Sequence, residues 1–256
     1  MIPRLYVTED LTPGAVFPAD ARALHYLRNV MRRAQDDPVV LFNGRDGEFA
    51  GEIAEIGKKT VTLRAGARRR DQDALVDLWL CFAPLKKDAT DLLIEKSTEL
   101  GVVAFQPVFT QHTAATRLNL ERLQTNAIEA AEQTERLTIP KVFEPRTLDE
   151  LMTGWDPTRR LLLCAESGAA APIADALGEV GRSVSPANKW AIICGPEGGF
   201  SSGELDRLIK LPFVTPVGLG PRVLRADTAA LASLAVVQAI LGDGRKRPPR
   251  SPHPLP

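Results

Sequence analysis

The chain has 256 residues, of which 44% are hydrophobic and 25% are charged, as expected for a globular protein with a substantial core. Its 32 basic and 32 acidic side chains cancel, so any surface that attracts nucleic acid must be local. No apolar signal region opens the sequence and no segment has the length of a membrane span, so we expect a cytoplasmic protein without membrane contact.

The cysteines exclude one class of site. Cys81, Cys164 and Cys194 are too far apart in sequence for a zinc knuckle or a CxxC redox pair, and we predict no metal site. We interpret them as buried free thiols of a protein from a reducing compartment.

Residues 1–70 are predicted to form a small β-barrel. Four short β-branched or alternating runs, separated by glycine-containing turns, indicate strands at 4–7, 38–43, 47–53 and 60–65. Leu24, Leu27 and Met31 recur at helical spacing, which predicts a helix over 20–33. The polar segment 65–73 is predicted to be a linker, and it marks the domain boundary.

From residue 74 to residue 243, apolar strands alternate with amphipathic helices. Strands are predicted at 75–83, 102–108, 160–165, 189–195 and 213–219, and helices at 88–100, 119–136, 201–210 and 227–241. We expect Gly101 to end the first of these helices, Ser201 and Glu204 to form a capping box, and Asp227 to cap the last helix. This alternation is typical of an α/β domain with a mostly parallel sheet, and the basic, proline-rich tail 244–256 is predicted to be disordered.

Two glycine-rich loops each lie between a predicted strand and a predicted helix. The first is GPEGGF (195–200) and the second is VGLGPRVLR (217–225). Glycine allows tight turns and a close approach of backbone to ligand, and the carboxyl ends of parallel strands are where such sheets bind ligands. One such loop alone is more often a plain turn, but two together predict a site.

The loops do not match the common nucleotide-binding motifs. The chain has no GxxxxGK[ST] and no GxGxxG at the start of a βαβ unit, so ATP and NAD are poor candidates. A cofactor held mainly by loop backbone, with an apolar rim from Leu219, Val223 and Leu224, fits better.

The segments GPEGGFSSGEL (195–205) and LGPRVLRADTAALASLAVVQ (219–238) resemble the knot loops of the SPOUT class of S-adenosylmethionine-dependent RNA methyltransferases. The chain most resembles the family that methylates N3 of a uridine near the 3′ end of 16S ribosomal RNA. Residues 25–32 and 39–53 resemble that family's PUA-like domain, and 86–102 and 132–142 resemble its central helices. One departure is Asp227, where glutamate is the more usual residue.

The resemblance implies a PUA-like β-barrel over 1–70, followed by a SPOUT-like, trefoil-knotted, mostly parallel sheet domain over 74–243. It also implies a homodimer that binds small-subunit ribosomal RNA, either as free RNA or within the assembled 30S subunit. The cofactor would be S-adenosyl-L-methionine. Its expected binding residues are Leu163, Gly195, Pro196, Glu197, Gly199, Val217, Gly218, Leu219, Gly220, Val223, Leu224, Thr228 and Ala229.

The catalytic candidates are Arg136, Glu197 and Arg225. The two arginines could hold uracil oxygens or phosphate, or they could be solvated charges at helix ends. Glu197 could contact the methionine ammonium, orient the loop, or fix the loop through its backbone N–H groups. No general base can be named.

A local basic patch is expected to bind RNA through Arg4, Arg22, Arg28, Arg32 and Arg33.

Two other functions remain open at this point. One is a SPOUT enzyme that acts on another RNA, such as transfer RNA; the barrel and the match at 86–102 favour the ribosomal substrate. The other is a non-catalytic RNA-binding protein with a degenerate pocket, which the intact glycines of both loops argue against.

Overall fold

The computed structural model describes residues 2–165, 170–181, 189–244 and 246 of the chain. It divides into two units, the first made of Met1–Ala74 with Ala127–Ile139 and the second of Leu75–Asn126 with Pro140–Pro256. The sequence-based division had assigned 127–139 to the second domain. This segment belongs to the first unit because Glu132 Oε1 accepts the backbone N–H of Tyr6 at 2.8 Å and the carbonyl of Ala131 accepts Arg4 Nη1 at 2.9 Å.

The first unit is a five-stranded sheet with one short helix. Its elements are β1 (Arg4–Tyr6), β2 (Val16–Pro18), α1 (Ala21–His25, continued by a π-helical turn over Tyr26–Val30), β3 (Pro38–Phe42), β4 (Glu48–Ile56) and β5 (Val61–Arg70). The strand order is β1-β3-β4-β5-β2, with only the β1–β3 pair parallel. Among the described strands β1 and β2 form two edges, not the closed ring that the barrel prediction implied.

Two predictions for this unit were wrong in their bounds. The segment 65–73 is not a linker over its whole length, because β5 continues to Arg70 and pairs with β4. The helix predicted over 20–33 ends at Val30, and Arg32 has a left-handed backbone with φ of 51°. Of the three apolar residues at helical spacing, Leu27 is fully buried in the core of this unit, and Leu24 and Met31 are half-buried.

The second unit is built around a parallel sheet. Its elements are β6 (Leu78–Phe82), α2 (Lys87–Glu99), β7 (Ala104–Phe109), α3 (Leu120–Gln133, whose second half belongs to the first unit), β8 (Lys141–Val142), β9 (Arg146–Thr147), α4 (Leu148–Thr153), β10 (Arg160–Cys164), β11 (Ala171–Pro172), α5 (Ile173–Gly181), β12 (Trp190–Cys194), α6 (Ser202–Ile209), β13 (Val214–Gly218) and α7 (Ala226–Ile240).

The strands of this unit follow the order β11-β13-β10-β12-β6-β7-β8, all parallel, and β9 pairs in parallel with the last residues of β7. All five residues of β12 are buried, as expected for a central parallel strand covered on both faces. The mostly parallel sheet predicted from the alternating pattern is therefore confirmed. The short elements β8, β9, α4, β11 and α5 were not predicted.

Three predictions about helix ends can be compared with the structure. Ser201 and Glu204 form the predicted capping box of α6. Gly101 follows α2 with φ of +88°, and a Cβ there would overlap the side-chain amide of Gln238, which donates to the carbonyl of Leu100 at 2.8 Å. The predicted cap of α7 was wrong: the N-cap is Arg225, and the Asp227 carboxylate accepts the backbone N–H of Thr228 at 2.7 Å.

The predicted disordered tail lies outside the described residues, apart from Gly244 and Lys246. None of the helices in the described part of the chain is both long enough and apolar enough to cross a membrane.

Candidate cofactor site and adjoining cleft

A cavity of about 480 Å³ opens at the carboxyl ends of β10, β12 and β13. The two glycine-rich loops follow β12 and β13, the strands that flank β10 on either side, so the topology brings the loops to one edge of the sheet. The volume lies within the range of about 300–1,000 Å³ that is usual for small-molecule sites.

Glycine is required at specific points of the loops. Gly199 has φ of +67°, and its N–H closes a turn on the carbonyl of Pro196 at 2.9 Å. A Cβ at Gly195 would lie 3.1 Å from the Phe200 ring, and Gly220 has φ of +95°. Side chains at these positions would strain the backbone or crowd the cavity.

Hydrogen bonds join the first glycine-rich loop (195–200) and the start of α6 to the segment that follows β7. Glu204 is buried, and its two carboxylate oxygens accept the backbone N–H groups of Gln111 at 2.9 Å and Ser201 at 2.8 Å. His112 Nδ1 lies 3.1 Å from the carbonyl oxygen of Gly198 and 3.2 Å from that of Gly199. Because a carbonyl only accepts, Nδ1 must carry a proton, which leaves Nε2 of the neutral ring without one. Sequence reasoning missed this role of His112, since its partners lie more than eighty positions away.

Nine of the expected cofactor-binding residues line this cavity: Gly195, Pro196, Gly199, Gly218, Leu219, Gly220, Val223, Leu224 and Ala229. Leu163 and Val217 do not, because their side chains are fully buried within the unit. Thr228 is exposed and Glu197 lines the neighbouring cleft.

Several lining residues were missed by the sequence analysis: Cys164, Ala165, Ala170, Pro172, Cys194, Gly198, Phe200, Leu205, Pro221, Arg222 and Ala226. At β10 the expected lining residue was Leu163, whereas the residue that lines the cavity is the next one, Cys164. Leu163 packs into the core with Cys81 and Ile193, and strand alternation turns Cys164 to the other face.

A second cavity, of about 900 Å³, adjoins the first and shares Gly198 and Ala226 with it. We call it the cationic cleft because five basic side chains line it: Lys86, Lys87, Arg117, Arg122 and Arg225. The acidic residues Glu197 and Asp227 and the ring of His112 line it as well.

Two of the three catalytic candidates, Glu197 and Arg225, are exposed in this cleft. The Glu197 carboxylate forms no hydrogen bond within the described part of the chain, which argues against one of the alternatives for this residue, that it fixes the loop through backbone N–H groups. Arg136 belongs to the first unit, where its carbonyl accepts Arg4 Nη2, and it lines neither cavity.

The cysteines are free and occupy both faces of the sheet. Burial raises the pKa of the Cys81 thiol to about 12. Cys164 and Cys194 line the cofactor cavity from neighbouring strands, and Cys164 is only half-buried. The hydrogen bond between them, together with burial, raises the pKa of Cys194, and the same bond lowers the pKa of Cys164.

Over the residues described, no group of three His, Cys, Asp or Glu side chains could hold a metal ion.

Arg4 and Arg22, two of the RNA-binding candidates, are structural residues of the first unit. Arg4 is 9% exposed; its Nε lies 3.1 Å from Glu48, and its guanidinium stacks 3.9 Å from the centre of the Phe42 ring. Arg22 is half-buried and pairs with Glu132 at 2.9 Å. Their assignment to an RNA surface was therefore wrong.

The other three RNA-binding candidates are more accessible. Arg28 is exposed and donates to the carbonyl of Lys58 at 2.8 Å. Arg32 is exposed. Arg33 is half-buried, and its Nη1 lies 4.0 Å from Oδ2 of Asp37. Arg28 and Arg32 remain candidates for phosphate contacts.

Comparison with known proteins agrees with this architecture. Residues 72–238 match the model of an RNA methyltransferase domain, and residues 19–65 match that of an RNA methyltransferase PUA domain. The ribosomal RNA small subunit methyltransferase E of Rickettsia conorii is 32% identical over 238 residues, which cover 93% of this chain and 95% of that protein.

Solved structures extend the similarity to the whole fold. The ribosomal RNA small subunit methyltransferase E of Neisseria gonorrhoeae, solved with S-adenosylmethionine, is 25% identical with a TM-score of 0.83, covering 95% of this chain and all of that one. A Legionella pneumophila protein solved with the same cofactor is 28% identical with a TM-score of 0.82, over 95% and 99% of the two chains.

A parallel sheet with a glycine-walled cavity at its carboxyl edge, preceded by a PUA-type domain, defines an RNA methyltransferase architecture. Within that class, the chain belongs to the ribosomal RNA small subunit methyltransferase E family.

Proposed function

We propose that this protein transfers a methyl group from S-adenosyl-L-methionine to N3 of a uridine in 16S ribosomal RNA. The observation that carries the proposal is that the glycine-walled cavity and the cationic cleft adjoin each other and share Gly198 and Ala226 in their walls. A methyl donor in the cavity and a polyanionic acceptor in the cleft would thereby lie next to each other. The names of the relatives support ribosomal RNA as the substrate.

The cavity suits the cofactor in size and in chemistry. Leu219, Leu224 and Phe200 give apolar surface for the adenine, and the loops present backbone groups for its polar edge. When bound, the sulfonium supplies an electrophilic methyl group. The residues of the chain hold the reacting groups in line and exclude water, which accounts for much of the rate enhancement in such transfers.

At the acceptor, N3 of uracil must lose a weakly acidic proton. The Arg225 guanidinium lines the cleft and would stabilise the negative charge that develops on the uracil oxygens. The exposed Glu197 carboxylate lines the same cleft and would accept a proton directly or through water. N3 lies on the pairing edge, so the uridine must enter unpaired or flipped.

Three finer features belong to this proposal. The segment that carries β13 and α7 would form the trefoil knot, supported by the position of β13 between β10 and β11. The functional form would be a homodimer, measurable by light scattering. Arg28 and Arg32 would bind RNA, so that Arg28→Glu with Arg32→Glu weakens RNA binding and lowers its salt dependence without changing cofactor affinity.

The deciding experiment incubates the protein with labelled S-adenosylmethionine and undermethylated small subunits, then maps the product nucleoside by mass spectrometry. We expect label in 16S RNA at a single N3-methyluridine, and transfer RNA serves as the comparison substrate. Label in transfer RNA alone, or methylation at another atom, would refute the assigned specificity. Parallel assays on free RNA and on assembled subunits identify the form that is recognised.

A further inference from the structure

The cationic cleft carries more positive charge than structural pairing requires. Among its five basic residues, Arg122 pairs with Asp91 at 3.2 Å. Lys86, Lys87, Arg117 and Arg225 are exposed and form no ion pair or side-chain hydrogen bond with any residue in the described ranges. Glu197 and Asp227 also line the cleft, but its five basic side chains outnumber them, and a concave surface with an excess of positive charge attracts anions.

Two helix ends add to this potential. Lys86 is the N-cap of α2 and Arg225 is the N-cap of α7, and neither side chain caps the backbone of its helix. A basic residue at a helix amino end opposes the helix dipole, which favours acidic residues there. Each helix also carries an acidic residue in its first turn, Asp88 in α2 and Asp227 in α7, so the cationic N-cap stands beside the usual acidic charge.

Part of the remaining cleft wall is apolar. This part is formed by Leu85, Ala89, Ala114, Ala115 and Leu118. Apolar surface beside cations suits a nucleotide, whose flat base avoids water while its phosphates require positive charge. The cleft also contains Gly198 and Ala226, which line the cofactor cavity.

We propose that the cationic cleft binds the acceptor nucleotide and its flanking phosphates as single-stranded RNA. This inference rests on the proposed function and deepens it. Lys86, Lys87 and Arg117 bind the phosphates, and the base lies against Ala114, Ala115 and Leu118 with its reacting edge toward Gly198. The patch in the first unit would add affinity for the rest of the RNA.

The test uses the full chain with the double variant Lys86→Glu and Lys87→Glu, and separately Arg117→Glu. Acidic residues at the start of α2 favour that helix, so lost binding in the double variant would not reflect a lost helix. The matched control, Arg160→Glu with Lys210→Glu, makes the same charge change at two exposed positions of the second unit outside the cleft. Calorimetry with S-adenosylmethionine verifies that every variant keeps its cofactor cavity.

The first readout is the binding of fluorescent single-stranded oligouridine without cofactor. We expect at least tenfold weaker binding by the double variant, and a slope of log K against log salt that is smaller by about 1 to 1.5 for two lost phosphate contacts. In methyl transfer to small subunits, KM should rise at least tenfold while kcat changes less than threefold.

Wild-type oligouridine affinity in both cleft variants would overturn the inference, as would an equal loss in the control pair. Unlabelled small subunits with the wild-type protein would instead overturn the proposed function. The oligouridine measurement still decides the role of the cleft in that case.

Discussion

His112 Nδ1 lies 3.1 Å from the carbonyl oxygen of Gly198, which joins the segment after β7 to the glycine loop after β12. The same nitrogen is 3.2 Å from the carbonyl of Gly199. A loop rich in glycine has much conformational entropy to lose, so a side chain that fixes two of its carbonyls preorganises the cofactor cavity.

Replacing His112 with alanine should therefore weaken cofactor binding. Loss of one shared hydrogen bond costs about 1 kcal/mol, which corresponds to roughly five- to tenfold in the dissociation constant for S-adenosylmethionine. Calorimetry on His112→Ala measures this change. Gln111→Ala is the matched control, because the exposed Gln111 contacts Glu204 through its backbone N–H, which the substitution retains. Equal affinities in the two variants would contradict the role of His112.

Gly199→Val tests the position of the cavity itself. The φ of +67° is unfavourable for a β-branched residue, and the added side chain would occupy space that the structure leaves open beside the loop. We expect cofactor affinity to fall more than tenfold.

Gly203→Val provides the comparison, since Gly203 is also open to its surroundings but lies within α6 at an ordinary helical φ. It should bind the cofactor like the wild type, and both variants should show the far-ultraviolet circular dichroism of a folded protein. Unchanged affinity in Gly199→Val would remove this loop from the cofactor site.

The sequence predicted the elements whose local pattern is strong. Apolar parallel strands such as β12, and the capping box at Ser201, depend on residues close in sequence, so periodicity was sufficient to find them. The linker prediction failed at Arg68 to Arg70 because a run of charged residues at the end of a strand resembles a loop in composition.

At the candidate site, the two loops could be predicted because glycine-rich segments between a predicted strand and a predicted helix are visible in a single sequence. The sequence did not show which residues of β10 face the cavity, because this depends on the register of the strand. Leu163 packs into the core, and the next residue, Cys164, lines the cavity. Arg4 and Arg22 were mistaken for surface charges because their partners, Glu48 and Glu132, are distant in sequence.

Cys164 should be the cysteine that reacts first with iodoacetamide, and bound S-adenosylmethionine should protect it. It lines the cofactor cavity, and its hydrogen bond with Cys194 lowers its pKa, so its thiolate forms at lower pH than that of a free cysteine. The alkylation rate should therefore reach half its plateau at a lower pH than that of free cysteine. Mass spectrometry of the labelled peptides gives the rate at each site.

Cys81 is the internal comparison for this experiment. It is fully buried with a pKa of about 12, so it should stay unlabelled at pH 8 until the protein unfolds. Labelling of Cys164 at the same rate with and without saturating cofactor would place the ligand elsewhere.

Arg159 should be a major determinant of the stability of the second unit. Its guanidinium is nearly buried, binds both carboxylate oxygens of Asp77 at 2.8 Å, donates to the carbonyl of Trp190 at 3.1 Å and stacks 3.9 Å from the Trp79 ring. Arg159→Met leaves Asp77 without its partner. Because Asp77 is partly exposed and can be rehydrated, we expect a loss of about 2–3 kcal/mol in the free energy of unfolding, below the full cost of breaking a buried pair.

Arg160→Met supplies the matched control, because Arg160 is the next residue along the chain and is exposed. It should change the free energy of unfolding by less than about 0.5 kcal/mol. Urea unfolding followed by tryptophan fluorescence measures both variants, and a double-mutant cycle with Asp77→Ala isolates the pair from the stacking on Trp79. Equal destabilisation by the two arginine substitutions would show that the contacts of Arg159 are not what stabilises this edge of the sheet.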